Sequence, residues 1–150
     1  MSERKHKGIR KDENAILRIL SSQTADGETD RSELNSTACY ACSGQEVRIK
    51  YIELDENGEE SGETVITVLG SGLVTIQKTG FTEAVMILEQ GKTHPITYNT
   101  VVGSMQMMLC ALEIQADFHP QGGRLLMRYL IDIGESYSAL NTIDLRVSLR

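Results

Sequence analysis

From Asn14 to Arg150 the chain runs as short segments in which apolar and polar positions alternate, most of them closed by a turn containing Gly. A period of two is the signature of half-buried β-strands. Val47, Ile49 and Tyr51 alternate with Arg48 and Lys50; Leu125, Met127, Tyr129, Ile131 and Ile133 alternate with Arg128 and Asp132. Thr64–Leu69 is rich in β-branched residues, whose stiff χ1 suits a pleated surface. About ten such segments, with no long crossover, predict an all-β antiparallel meander of about 8–10 strands. A meander of that length leaves two edges unless it closes, so a β-barrel is the expected architecture.

Turn chemistry sets registers. Asp26-Gly27 fits a type I′ hairpin, which needs positive φ at both central positions. Pairing about it places Ile19 opposite Leu34 and Leu17 opposite Ser36, so Leu17, Ile19, Leu34, Ala38 and Tyr40 share a face. Asn57-Gly58 carries the same type I′ chemistry. Pro95 cannot donate to a ladder, so Lys92–Val102 is expected to be an edge or irregular at its start. In the last hairpin, Gly134-Glu135 fits a type II′ turn, which would oppose Leu125 to Asp144. Yet Ile143, Leu145, Val147 and Leu149 are the apolar row, so a β-bulge is expected between about Ala139 and Thr142. Ser104–Phe118 is ambiguous. Met105, Met108, Leu109 and Leu112 fit a helix template, and local preference leans that way; a strand would put Met105, Met107, Leu109 and Ala111 on one face.

Charge is unevenly spread. The formal net charge is −6, and residues 1–11 carry Arg4, Lys5, Lys7, Arg10 and Lys11 against Glu3, a local +4 that leaves −10 for the remainder. The expected organisation is a basic, flexible tail over residues 1–13 and a barrel over 14–150. An acidic body is a poor match for a phosphate backbone, so no nucleic acid is expected on the barrel. No stretch approaches the roughly 20 apolar residues of a membrane-spanning helix. The first apolar stretch, Ala15-Ile16-Leu17, is cut by Arg18, too short for a secretory signal. Three cysteines without framework spacing fit a reducing cytoplasm.

Several motifs recur together and in order: Gln23-Thr24-Ala25-Asp26-Gly27-Glu28, Tyr40 with Tyr51, Tyr98-Asn99-Thr100-Val101-Val102-Gly103, Gly122-Gly123 with the alternating run to Tyr129, and Asn141-Thr142-Ile143. Over residues 14–150 this set resembles the YwiB-like proteins, a bacterial domain-of-unknown-function family placed among the calycin-like, lipocalin-related β-barrels. The resemblance implies a closed or nearly closed barrel and decides Ser104–Phe118 for strand. It implies no activity. Family members tend to carry Pro at Val101 or Val102 and an aromatic at Cys39, and the lipocalin Gly-x-Trp signature is absent because the chain has no Trp.

Candidate chemistry is sparse. Cys39 and Cys42 have C-x-x-C spacing, but in a strand positions i and i+3 face opposite sides, so they read as small wall hydrophobes and no metal site is expected. His6, His94 and His119 neighbour no nucleophile, and Ser136 lacks the second Gly of a nucleophile elbow. Alternation sends Arg18, Arg48 and Arg128 outward. No catalytic residue and no cofactor are expected. The reading is a non-enzymatic cytoplasmic barrel binding a small apolar or amphipathic ligand, with Tyr40, Tyr51, Met105, Met107 and Tyr129 as candidate lining residues; for the methionines core packing is the competing role. Such a ligand calls for an internal cavity of roughly 300 Å3 or more. The alternative is an interaction or assembly module acting through the outer surface and the basic tail.

Overall fold

A computed structural model of the chain describes residues 13–135 and 137–150. The basic tail, with His6, therefore lies outside the described residues but for its end at Glu13, as does Ser136. Ten strands follow one another: β1 (Ala15–Ala25), β2 (Glu28–Ser43), β3 (Glu46–Leu54), β4 (Glu60–Leu69), β5 (Leu73–Gly80), β6 (Thr82–Glu89), β7 (Thr93–Thr100), β8 (Gly103–His119), β9 (Gly122–Ile133) and β10 (Tyr137–Leu149). Each pairs antiparallel with its sequence neighbour. The sheet closes where β1 meets β10, from Ala15↔Leu149 to Thr24↔Leu140. The result is an all-β, closed, ten-stranded antiparallel barrel.

The first hairpin has the expected register, Leu17↔Ser36 and Ile19↔Leu34, about a turn with φ of 53° at Asp26 and 78° at Gly27. Leu17, Ile19, Ala38 and Tyr40 are buried and Leu34 packs against them. Asn57-Gly58 behaves differently. Leu54 pairs with Glu60, and Asp55 organises the intervening loop: its Oδ1 accepts from the amides of Asn57 (2.8 Å) and Glu59 (2.9 Å), and its carbonyl from Gly58 (3.0 Å). Only Gly58 of the two central residues takes positive φ, so this is not a type I′ turn. The Asp side chain, rather than the Asn-Gly pair, sets the loop.

The bulge expected between Ala139 and Thr142 is absent. Pairing runs unbroken from Tyr137↔Ile133 to Ser148↔Gly122 and opposes Leu125 to Leu145. Three residues, not two, lie between Ile133 and Tyr137, so the connection itself absorbs the extra residue and no type II′ pair forms. A bulge occurs instead in β8, where Ala111↔Tyr129 is followed by Glu113↔Arg128, leaving Leu112 without a partner. That bulge explains the helix-like spacing of this segment. Met107, Leu109 and Ala111 are buried, the parity switches at Leu112, and Ile114 is the next buried residue; Met108 and Leu112 face out. The Gln90 side chain covers the interruption, its Oε1 accepting from the Ile114 amide at 2.8 Å. Of the two expectations for Lys92–Val102, an edge or an irregular start, the edge fits better, and only towards β6. β7 pairs with β8 throughout but with β6 only at Thr82↔Thr100 and Glu83↔Asn99, clear of Pro95.

The inward rows form layers. Val47, Val68, Val74 and Leu88 lie side by side across β3–β6; the next row is Ile49, Ile66, Ile76 and Met86; the row above it is Tyr51, Thr64, Lys78 and Ala84. The first two rows, with Leu17, Leu109, Leu125 and Leu145, fill the lower barrel almost completely. At the lower end Tyr40 tilts against Phe118, with ring centroids 6.2 Å apart, and its hydroxyl donates to the His119 carbonyl at 2.7 Å. Arg18, Arg48 and Arg128 face outward; Arg18 meets Glu33 at 3.0 Å and Arg128 meets Glu113 at 3.6 Å. Cys42 packs against the core, while Cys39, three residues earlier, is on the other face.

Candidate ligand cavity

Where the inward rows turn from apolar to polar, the side chains stop filling the barrel. A cavity of about 130 Å3 lies there. Ile66, Ile76, Met86, Met127 and Leu145 form its floor, and Tyr51, Thr64, Lys78, Tyr98 and Tyr129 its upper wall. A second depression of about 170 Å3 opens on the far side of that wall, bounded by Glu53, Glu63, Thr82 and Phe81 and sharing Thr64, Lys78 and Tyr98 with the first.

Backbone irregularity makes the room. In β4, Glu53↔Gly62 gives way to Leu54↔Glu60, so Ser61 is extra and the strand bends. Gly62 and Gly80 then pack backbone against backbone: a Cβ on Gly80 would sit 2.5 Å from both Gly62 Cα and the Ser61 carbonyl, and φ there is +111°. With no side chains above Thr64 and Lys78 on these strands, the Glu53 carboxylate folds over the mouth.

Lys78 Nζ donates to Glu53 Oε2 at 2.7 Å and lies 3.4 Å from Thr64 Oγ1; the Thr64 hydroxyl also donates to Glu53. Burial pushes the Glu53 carboxyl up, but the hydrogen bonds from Lys78 and Thr64 and the Lys78 charge outweigh it and hold the group below its ordinary 4.5. Burial, reinforced by the Glu53 charge and opposed by Thr64, pushes the Tyr51 phenol up to about 12. Tyr98 is raised by burial and then by Glu53, and Tyr129 by burial and then by its neighbours Tyr98 and Tyr51. At neutral pH the mouth thus carries one compensated ion pair and three neutral phenols. Tyr98 donates its proton to Met86 Sδ at 3.6 Å.

The sign of the acid response follows. The folded Glu53 value lies below the unfolded one, so its stabilisation is present above pH 4.5 and is lost as pH falls through the folded value. Glu53→Gln should flatten the acid limb of stability between about pH 5 and pH 3, read from urea denaturation midpoints. An acid limb as steep as that of the parent protein would show that Glu53 is not coupled to folding.

Residues 17–145 match the family described as Domain of unknown function (DUF1934). The chain belongs to this family. Among solved structures the DUF1934 barrel is similar to one titled "Crystal structure of ywiB protein from Bacillus subtilis", with a TM-score of 0.81 and 18% identity, over 97% of this chain and 98% of that one. At that identity the likeness shows the fold. No curated protein matches the sequence.

Of the five candidate lining residues, the DUF1934 barrel brings Tyr51 and Tyr129 together at the cavity. Tyr40 sits at the opposite end, its ring packed against Phe118, and borders an open depression of about 270 Å3 on the outer wall with Cys39, Arg48 and Lys50. Met107 is buried in β8 away from the cavity wall, and Met105, at the rim opposite Tyr98, is 47% exposed. Glu53, Thr64, Lys78 and Tyr98 were not legible as site residues. Parity with Tyr51, Ile66, Ile76 and Ile96 does place all four on the inward rows, and a Glu and a Lys at inward positions were the available signal. Of the histidines, His94 Nε2 lies 3.4 Å from Glu89 Oε1 without hydrogen-bond geometry, and His119 Nδ1 accepts from the Gln121 amide at 3.2 Å. Among the described residues no three His, Cys, Asp or Glu side chains are grouped to hold a metal ion, and no helix is long and apolar enough to cross a membrane.

Proposed function

We propose that this DUF1934 member is a non-enzymatic, calycin-like barrel of the bacterial cytoplasm that binds a small amphipathic molecule at its upper end. One observation carries the reading: a cavity with an apolar floor and a polar, charge-compensated mouth, above rows of fully buried side chains. Pockets for small molecules combine apolar walls with a few placed polar groups in this way. At about 130 Å3 the cavity falls short of the roughly 300 Å3 expected from the sequence, which restricts the reading to a ligand smaller than most pockets hold. Lys78 is engaged by Glu53 and the phenols are held neutral, which suits recognition by hydrogen bonding better than nucleophilic chemistry. The odd cysteine count supports the reducing compartment.

A second reading, an assembly module, is favoured by exposed apolar residues at the same end: Phe81 (61%), Val101 (84%) and Val102 (92%). Native mass spectrometry of the protein purified from its own cells separates the two. The ligand reading expects a monomer carrying a small-molecule adduct that is released on denaturation. A bare chain would count against it, and a bare oligomer would favour assembly.

A further inference from the structure

Resting on the ligand reading above, we infer that the cavity selects an uncharged molecule of about the size of a benzene ring bearing a hydrogen-bond acceptor, as in an aryl ketone, aldehyde or amide. Size comes first. An engineered apolar cavity of about 150 Å3 takes up benzene, and the space here is about 130 Å3. A single ring fills it; an acyl chain or a fused polycycle does not.

The polar end follows from which groups lack a good partner. Tyr98 donates only to a thioether, a weak acceptor. Tyr129 is 7% exposed, and among the described residues its hydroxyl makes no hydrogen bond. Both hydroxyls can therefore donate to an acceptor that enters the cavity in exchange for a weak partner or none. The charge of the ligand is fixed by the pair above them. Lys78 and Glu53 already neutralise each other at 2.7 Å. A carboxylate entering the cavity would have to draw Lys78 out of that pairing, and an ammonium would have to draw Glu53 out of it, each leaving the other member of a half-buried ion pair without its partner. A carbonyl oxygen meets neither objection and accepts from Tyr98 and Tyr129.

The floor supplies the reporters. Met86 and Met127 line the cavity, while Met105 and Met108 are exposed and serve as internal controls. With 13C-methyl methionine labelling, four probes of one ring each are titrated: toluene, acetophenone, benzoate and benzylammonium. Acetophenone should shift the Met86 and Met127 methyls with an affinity at least tenfold above toluene, and both charged probes should bind at least tenfold more weakly than acetophenone. The double variant Y98F/Y129F should keep its fold and its toluene binding and lose the acetophenone advantage. Benzoate or benzylammonium as the tightest probe, or an advantage that survives Y98F/Y129F, would overturn the inference while leaving a ligand cavity. If all four probes leave Met86 and Met127 unmoved, the cavity reading falls with it.

Discussion

Replacing Leu125 by Ala is expected to lower the unfolding free energy by about 2–5 kcal/mol, the usual cost of a large-to-small change in a close-packed core. Leu125 is fully buried and stands between Leu145 on β10 and Ala116 on β8, among side chains that leave no slack to collapse into the gap. At roughly 2–4 °C per kcal/mol for a domain of this size, the melting temperature should fall by about 4–20 °C. The layered rows make a sharper comparison possible. Met127, one pleat up, borders the cavity, and its truncation to Ala enlarges a space that already exists instead of creating one. L125A should therefore cost more than M127A in equilibrium denaturation. Equal costs would mean that the lower barrel is less tightly filled than its burial indicates.

Gly80→Ala should be as damaging by another route. The added Cβ would press on Gly62 Cα and the Ser61 carbonyl at 2.5 Å, both of them backbone, and Ala is strained at φ of +111°. Overpacking and backbone strain together cost roughly 2–4 kcal/mol. Because the Ser61 carbonyl accepts from the Phe81 amide at 2.9 Å, and Gly62 stands opposite Glu53, relief of the clash moves the mouth of the cavity. Gly91→Ala is the control. It has φ of +83° with nothing within 4 Å of its Cβ, so it carries the conformational cost of about 1 kcal/mol without the collision. Thermal denaturation of the two variants side by side checks the difference; equal losses would show that the Gly62–Gly80 contact yields easily.

The architecture was largely legible because strand alternation and turn residues are local properties. Asp26-Gly27 fixed a register that the structure reproduces residue for residue. The misplaced bulge shows the limit. A one-residue surplus was visible between Leu125 and the Ile143–Leu149 row, yet nothing local tells whether a connection or a strand absorbs it; the connection after Ile133 does. The true bulge at Leu112 was hidden because it turns a strand's parity into an i, i+3 pattern, and Met105, Met108 and Leu112 then read as a helix face. The cavity was legible in part. Tyr51 and Tyr129 stand at inward positions of clean strands, but the site is made by what is missing beside them, two glycines and a bent β4, and by a Lys–Glu pair 25 residues apart in sequence whose members meet only across β3, β4 and β5.

The thin pairing of β6 with β7 has a bearing on how this protein keeps to itself. Along most of that boundary the two strands share no ladder, so the closed wall retains a stretch there where a foreign strand could add itself and start aggregation. The strand on one side of this stretch carries Pro95, which has no N–H to offer an incoming chain. Across the same boundary the Tyr98 hydroxyl reaches Met86, a side-chain clasp where the backbone provides none. One proline and one tyrosine thus guard a boundary that barrel closure alone does not.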